Sequence, residues 1–241
     1  MCFRTLNLKR AALALAVLLT LFMAPARASD LDDFNTAVEA AMSHRRVAAG
    51  YIRTGNLDLA ALEIDALRGA WTIVTTGPIP TVFHDKLALY SETMLNTSTR
   101  LIGIVLVFEL GRADVAAQSL DAIRNDLSAM RRASGVTVLA DCVLDSNTAM
   151  DALFAFDGKP LDATSGDVTA KADAYRAILQ RCDGMATERL RRDGEFRRLI
   201  DGATASLAQV PKAIETRDAD LLHRLLIELR SFDNLLAFRF G

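Results

Sequence analysis

Apolar residues recur at helical spacing along most of the chain, and the alternation of apolar and polar residues that marks a half-buried strand is almost absent. Ala, Leu, Arg, Asp and Glu dominate between a few breaks that contain Pro or Gly. The pattern therefore predicts an all-α fold. The predicted helices span residues 30–53, 57–74, 81–110, 113–133, 136–156, 166–183, 186–215 and 218–239.

Three similar segments mark turns that lead into a new helix. They begin at Gly55, Gly111 and Arg217, and each has an Asp three residues later. An acidic residue in the first helical turn suits the positive end of the helix dipole. The first and second turns are 56 residues apart, and the second and third are 106 residues apart, which is close to twice that spacing. A fourth turn is therefore predicted midway between the second and third, at residues 164–167. The chain therefore predicts four antiparallel helical hairpins.

Two such hairpins make a four-helix bundle, so the chain predicts two bundles in tandem. Helical bundle 1 would span residues 29–134 and helical bundle 2 residues 135–241, with the junction at Ser134 and Gly135. The alternative is one continuous stack of helical hairpins, which is favoured if the apolar run 101–110 is buried against both halves. That run is too short for a membrane span of roughly 20 residues, so it is predicted to be core.

The first 28 residues have the pattern of an export signal. Arg4, Lys9 and Arg10 precede an apolar run over residues 11–23, and Ala26-Arg27-Ala28 offers a small-residue cleavage site. We expect a signal peptide over residues 1–28, cut after Ala28, and a periplasmic protein that does not span the membrane after cleavage.

Cleavage would make the chain more acidic. The signal contains four of the 28 basic residues and none of the 30 acidic ones, so the remaining chain has 24 against 30 and a formal charge of −6. A mildly acidic chain with interspersed charges has no broad field that attracts nucleic acid. We therefore expect no nucleic-acid partner.

Two cysteines remain after cleavage, Cys142 and Cys182. An even number of cysteines in an oxidising compartment favours a disulfide. Cys142 lies near the start of one predicted helix and Cys182 near the end of the next, and antiparallel neighbours bring those positions to the same end of a hairpin. We predict a structural disulfide between them.

No motif for catalysis or metal binding is present. The chain lacks the H-x-x-x-H and H-E-x-x-H zinc patterns, the G-x-S-x-G nucleophile turn, the P-loop and the dinucleotide-binding fingerprint. The sequence therefore favours a protein without its own catalytic centre and without a metal site. The basic cluster over residues 189–198 alternates with acidic residues and is predicted to pair with them, the alternative being a surface that docks an anion or a partner.

The first helix, AVEAAMSHRRVAAGYIRTG, followed by an Ala-rich helix, a Pro-containing loop and a long third helix, resembles the exported cytochrome c prime and c-556 family. That resemblance implies a four-helix bundle with haem attached through C-x-x-C-H near the end of its last helix. The corresponding stretches here, 123–131 and 231–239, have neither the thiols nor the histidine. Covalent haem is therefore not expected, and Met42 is the nearest match to the axial methionine region of the family.

Two functions follow as expectations. The first is a periplasmic, all-helical binding or protein-interaction module that uses a bundle face, or the groove between bundles, to bind a protein or a small ligand without a cofactor. The second is a redox or electron-transfer bundle that holds haem or a metal non-covalently, with Met42, His44 and His223 as the candidate cofactor-binding residues.

Overall fold

The computed structural model of the protein describes residues 26–241, without the side chains of residues 26–29 and 163. Helices make up most of this part of the chain, and it contains no strand. The all-α prediction is therefore confirmed. The predicted signal peptide lies outside the described residues except for its last three, so the signal peptide and the cut after Ala28 stay predictions.

The first half contains four long helices. They are α1 (Ala26–Arg53), α2 (Leu57–Thr76), α3 (Leu87–Glu109) and α4 (Ala113–Ala133), with a 3-10 helix over Thr81–Lys86 before α3. Each helix packs against the next, and α4 packs back against α1. The ring encloses a core that includes an aromatic group, in which the ring centroids of Phe34 and Phe83 are 5.5 Å apart and those of Phe83 and Tyr90 are 5.4 Å apart.

The second half repeats this arrangement with one interrupted helix. Its long helices are α5 (Leu139–Phe154), α6 (Leu161–Met185), α8 (Gly194–Leu207) and α10 (Ala219–Phe240), and two short helices, α7 (Glu188–Arg191) and α9 (Val210–Glu215), flank α8. Contacts run from α5 to α6, α6 to α8, α8 to α10 and α10 back to α5. Its buried cluster shares no residue with the cluster of the first half. The division into two domains stays a prediction.

The apolar run 101–110 was predicted to be core, and this is only partly correct. Leu101 and Ile104 are buried in the first cluster, whereas Ile102, Leu106 and Leu110 are more than half exposed. The run contacts the core of the first half alone, so it does not favour a continuous stack. No helix among residues 26–241 has the length and apolarity that crossing a membrane requires.

The three repeated turns are confirmed, and their geometry explains why they recur. Gly55, Gly111 and Arg217 all have positive φ, at 74°, 74° and 53°. In each turn the next residue donates its backbone N–H to a carbonyl five residues earlier, at 2.9 Å, which is the Schellman arrangement that ends a helix. The new helix begins one residue later, with Asp58, Asp114 or Asp220 in its first turn.

The predicted fourth turn, at residues 164–167, is wrong. Helix α6 begins after Pro160, which adopts the φ of −61° that its ring allows, and continues through Gly166. The hydroxyl groups of Thr164 and Thr169 donate to the carbonyls of Pro160 and Ser165, at 2.8 and 2.9 Å, so these residues are accommodated inside the helix.

The single helix predicted over 186–215 is also wrong, because it is broken twice. Asp193 begins α8 by accepting hydrogen bonds from the backbone N–H groups of Glu195 and Phe196, at 3.0 and 2.9 Å. Pro211 lies in the first turn of α9, where its missing N–H costs no hydrogen bond.

Cys142 and Cys182 are brought together as predicted. Cys142 lies in the first turn of α5 and Cys182 in the last turn of α6, with their Cα atoms 5.5 Å apart and their sulfur atoms at disulfide distance. Both side chains are fully buried. The bond closes a hairpin of 40 residues in the second half.

Candidate ligand groove between the two halves

The predicted cofactor residues do not converge. Met42 is buried in the core of the first half, whereas His44 lies at its surface, with Nδ1 2.7 Å from Glu63 Oε2. His223 lies in the second half, with Nδ1 2.7 Å from Asp157 Oδ1. The part of the chain that the structure describes contains no group of three or more His, Cys, Asp or Glu side chains that could hold a metal ion.

The basic cluster over residues 189–198 is largely paired, as predicted. Arg192 contacts Glu188 at 2.6 Å, and Arg198 donates to Glu195 through two nitrogen atoms, each at 2.9 Å. Arg197 donates to Asp183 of α6 at 2.7 Å. These guanidinium groups already have carboxylate partners.

A second arginine cluster lies where the halves meet, and its side chains are less completely paired. Helices α1, α4 and α10 converge on a cavity of about 110 Å³, which we call the junction groove. It is lined by Arg45, Arg46 and Arg53 of α1, Asp121 and Arg124 of α4, and Asn234 and Phe238 of α10, among others. The spacing of the arginines on α1 places Arg46 and Arg53 on one helix face, two turns apart.

A glycine on α1 permits the close approach of α10. A Cβ atom added at Gly50 would lie 3.3 Å from Cε2 of Phe238, a contact tight enough that the ring would have to shift. A hydrogen bond also links α1 to the end of the chain after α10, because Arg46 Nη1 donates to the backbone carbonyl oxygen of Gly241 at 2.8 Å. These two contacts hold the end of α10 against α1.

Arg45 is the most unusual side chain of the groove, since it is a cation that is only 5% exposed. Its Nη1 is 3.3 Å from Asp121 Oδ1, a carboxylate that is itself largely exposed, and its Nε is buried without a hydrogen-bond partner. Burial, followed by repulsion from Arg124, lowers the pKa of Arg45 to about 10.

Arg124 lines the same cavity and has two unpartnered donor atoms. Its Nε and Nη2 are buried and have no acceptor. Burial is the largest cause that lowers the pKa of Arg124, while the nearby carboxylates of Asp121 and Asp233 oppose it. Buried polar atoms in folded proteins nearly always have a partner, so unpartnered donors on two arginines of one cavity require an explanation.

The residues of this cavity are suited to binding an anion. The lining residues in the described part of the chain include no Ser, Thr, Cys, His or Lys. The acidic side chain in the lining, Asp121, contacts Arg45. Guanidinium groups present rigid pairs of N–H donors that match carboxylate and phosphate oxygens.

A buried polar cluster lies beside the groove, in the core of the second half. Asp233 accepts hydrogen bonds from Ser146 Oγ at 2.9 Å, Asn147 Nδ2 at 2.8 Å and Tyr175 OH at 3.4 Å. Burial raises the pKa of Asp233, although the hydrogen bonds from Asn147 and Ser146 lower it. The cluster fixes α5, α6 and α10 relative to one another.

A larger depression lies on the outer surface, between α5 and α6. Its volume is about 360 Å³, it opens to solvent, and alanines form much of its lining. The carboxylate of Asp145 at one end contacts Arg132 at 2.6 Å and Arg181 at 2.5 Å. It has no buried donor without a partner among the described residues, so it is the weaker candidate.

The groove was not predicted from the sequence. The signal on α1 is a run of arginines at positions 45, 46 and 53 around small residues. Nothing local links this run to Arg124 or Phe238, which are distant in the sequence and approach only in the folded chain.

Comparisons with known proteins give no relative for this chain: no protein-family model matches it, and no curated protein or solved structure matches it significantly. The resemblance to the cytochrome c prime family therefore stays a prediction.

Proposed function

We propose that the protein is an exported helical binding module whose ligand occupies the junction groove between its two halves. The observation that carries this proposal is that Arg45 and Arg124, which both line one cavity, each have buried N–H donor atoms without a hydrogen-bond partner. Leaving a buried donor unsatisfied costs about 1–3 kcal/mol, more for a charged group, and an acceptor supplied by a ligand removes that cost.

The location of the groove supports a binding role. Ligand sites are commonly found where domains or helices meet, and this cavity is formed by α1 and α4 of the first half and α10 of the second. A ligand held there contacts both halves, so binding also stabilises their contact.

Export is supported by two separate features of the chain. The first 28 residues have the charge and apolar pattern of a signal peptide. Cys142 and Cys182 lie at disulfide distance, and such bonds persist in oxidising compartments.

The alternative of a redox bundle with non-covalent haem or metal has less support. Its candidate residues lie apart, with Met42 in one core and the two histidines each beside a carboxylate. An absorption spectrum of the purified protein, recorded before and after addition of haem, tests this alternative directly.

The binding proposal is tested by blocking the groove. Asn234 is exposed and lines the groove, so Asn234→Trp should fill its entrance without disturbing a core. Ser231→Trp is the matched control, because Ser231 is exposed on the same helix and does not line the cavity.

Each purified protein is incubated with a small-molecule extract of the periplasm and desalted, and retained compounds are identified by mass spectrometry. We expect the wild type and Ser231→Trp to retain the same compound and Asn234→Trp to lose it. Retention of no compound, or equal retention by all three proteins, would contradict the proposal.

A further inference from the structure

We infer that the ligand of the junction groove is a small oxyanion, namely a phosphate group. This inference rests on the proposed function and names the chemistry of its ligand. The charge balance, the donor geometry and the size of the groove each restrict what can bind there.

The charges around the groove do not balance. Four arginines line it, and two carboxylates contact them, Asp121 on Arg45 at 3.3 Å and Glu39 on Arg46 at 2.5 Å. Of the acidic groups further away, Asp141 is already paired with Arg131, and Asp233 accepts hydrogen bonds from Ser146 and Asn147. The arginines therefore outnumber the acidic side chains that contact them, and a phosphate group, which has a charge of about −1.5 to −2 at neutral pH, suits this excess of positive charge.

The free donors suit a group that has acceptor oxygens on several sides. Arg45 contributes Nε, and Arg124 contributes Nε and Nη2, from two different helices. A carboxylate has two oxygens in one plane and pairs best with a single guanidinium fork, whereas phosphate has oxygens for donors that approach from different directions. Unpartnered donors on two arginines that line one cavity, one on α1 and one on α4, therefore favour phosphate.

The volume restricts the ligand further. The cavity of about 110 Å³ is several times the space that one water molecule needs and well below the 300–1,000 Å³ of sites for drug-sized ligands. It has room for a free phosphate ion, or for the phosphoryl group of an organic phosphate whose remainder lies outside.

The test is a calorimetric titration at constant ionic strength with four probes: inorganic phosphate, glycerol 3-phosphate, succinate and chloride. Succinate has two charges on planar carboxylates, and chloride reports non-specific screening. We expect one equivalent of a phosphate-containing probe to bind and succinate and chloride to give no saturable heat. Comparison of inorganic phosphate with glycerol 3-phosphate distinguishes the free ion from a phosphoryl group.

Three arginine variants locate the site. Arg45→Met and Arg124→Met each remove unpartnered donors, and Arg53→Met removes a charge from an exposed position where folding is not at risk. Arg198→Met is the matched control, because Arg198 is an arginine already paired with Glu195. We expect the dissociation constant to rise at least tenfold in the first two variants and severalfold in Arg53→Met, with no change in Arg198→Met.

Saturable binding of succinate in place of phosphate would overturn the inference. So would phosphate binding of equal affinity in the wild type and in both single variants, Arg45→Met and Arg53→Met. If Asn234→Trp abolishes ligand retention while no phosphate probe binds, the proposed function stands and only the ligand class is wrong. If no compound is retained and no probe binds, both proposals fail.

Discussion

Arg131, in the last turn of α4, and Asp141, in the first turn of α5, form a buried ion pair across the junction between the two halves. Arg131 Nε donates to Asp141 Oδ2 at 2.9 Å, and Nη2 of the same guanidinium donates to Oδ1. The carboxylate also accepts the backbone N–H of Val138 at 3.1 Å, so it closes the turn that begins α5. Both charged side chains are at most 5% exposed.

Removal of one partner of this pair should be strongly destabilising. Asp141→Ala leaves Arg131 charged and buried, and we expect the free energy of unfolding to fall by about 3–5 kcal/mol. Asp126→Ala is the control, because its pair with Arg100, at 3.2 Å, is partly exposed and should contribute less than about 1 kcal/mol. Urea denaturation of both variants measures the difference, and equal losses would contradict a structural role for the buried pair.

The disulfide should stabilise the second half. Replacement of both Cys142 and Cys182 by Ala opens a loop of 40 residues, and we expect the free energy of unfolding to fall by about 3–4 kcal/mol. Denaturation curves with and without a thiol reductant provide the measurement. The reductant should destabilise the wild type and leave the double variant unchanged, whereas no effect on either protein would show that the bond does not form.

Arg217 has a backbone conformation that glycine adopts more readily. Its φ of 53° matches those of Gly55 and Gly111 in the equivalent turns, and a side chain costs about 1–2 kcal/mol in that region. Because glycine also loses more entropy on folding, we expect Arg217→Gly to raise the melting temperature modestly, by an amount that corresponds to about 0.5–1 kcal/mol.

Two controls accompany the Arg217 variant. Gly111→Ala makes the opposite change in an equivalent turn and should destabilise by about 1 kcal/mol. Asp162→Ala removes the exposed ion pair that Arg217 forms at 3.2 Å, so it isolates the loss of that contact. A lower melting temperature for Arg217→Gly than for Asp162→Ala would contradict the strain argument.

Asp233 should make stability depend on pH. Burial raises its pKa above the ordinary value of 3.8, so the folded protein binds this proton more tightly than the unfolded chain does. The stabilising contribution is therefore complete below pH 3.8 and is lost as the pH rises through the folded-state pKa. As the pH rises above 3.8, the free energy of unfolding of the wild type should fall relative to that of Asp233→Asn.

Chemical denaturation at several pH values measures this difference. Asp220→Asn is the control, because Asp220 is an exposed carboxylate on the same helix. The free energy of unfolding of this variant should depend on pH in the same way as that of the wild type. A difference between the wild type and Asp233→Asn that stays constant over this range would contradict the assignment of the titration to Asp233.

The fold class and the recurrent turns could be predicted from sequence because they depend on local chemistry. Gly55 and Gly111 end helices through a backbone conformation that glycine tolerates, and hydrogen bonds within six residues complete the turn. The same reasoning failed at Gly166, because a glycine inside a long helix is tolerated when tertiary packing supports the flanking residues, such as Val168.

The junction groove could not be predicted in this way. Arg45 and Arg124 are on different helices of the first half, and Phe238 comes from the last helix of the second. Their convergence depends on how α10 packs against α1, which includes the contact of Phe238 with Gly50. Helical periodicity gives the faces of each helix but not the register between helices.

The central claim, that Arg45 and Arg124 together form an anion site, is tested most directly by nuclear magnetic resonance of the arginine side chains during titration with phosphate. The Nε–H signals of both residues, assigned from their Met variants, should shift along one saturable curve, while the Nε–H signal of Arg198 stays in place. Shifts confined to exposed arginines such as Arg198, or no saturable shift at Arg45 and Arg124, would contradict the account.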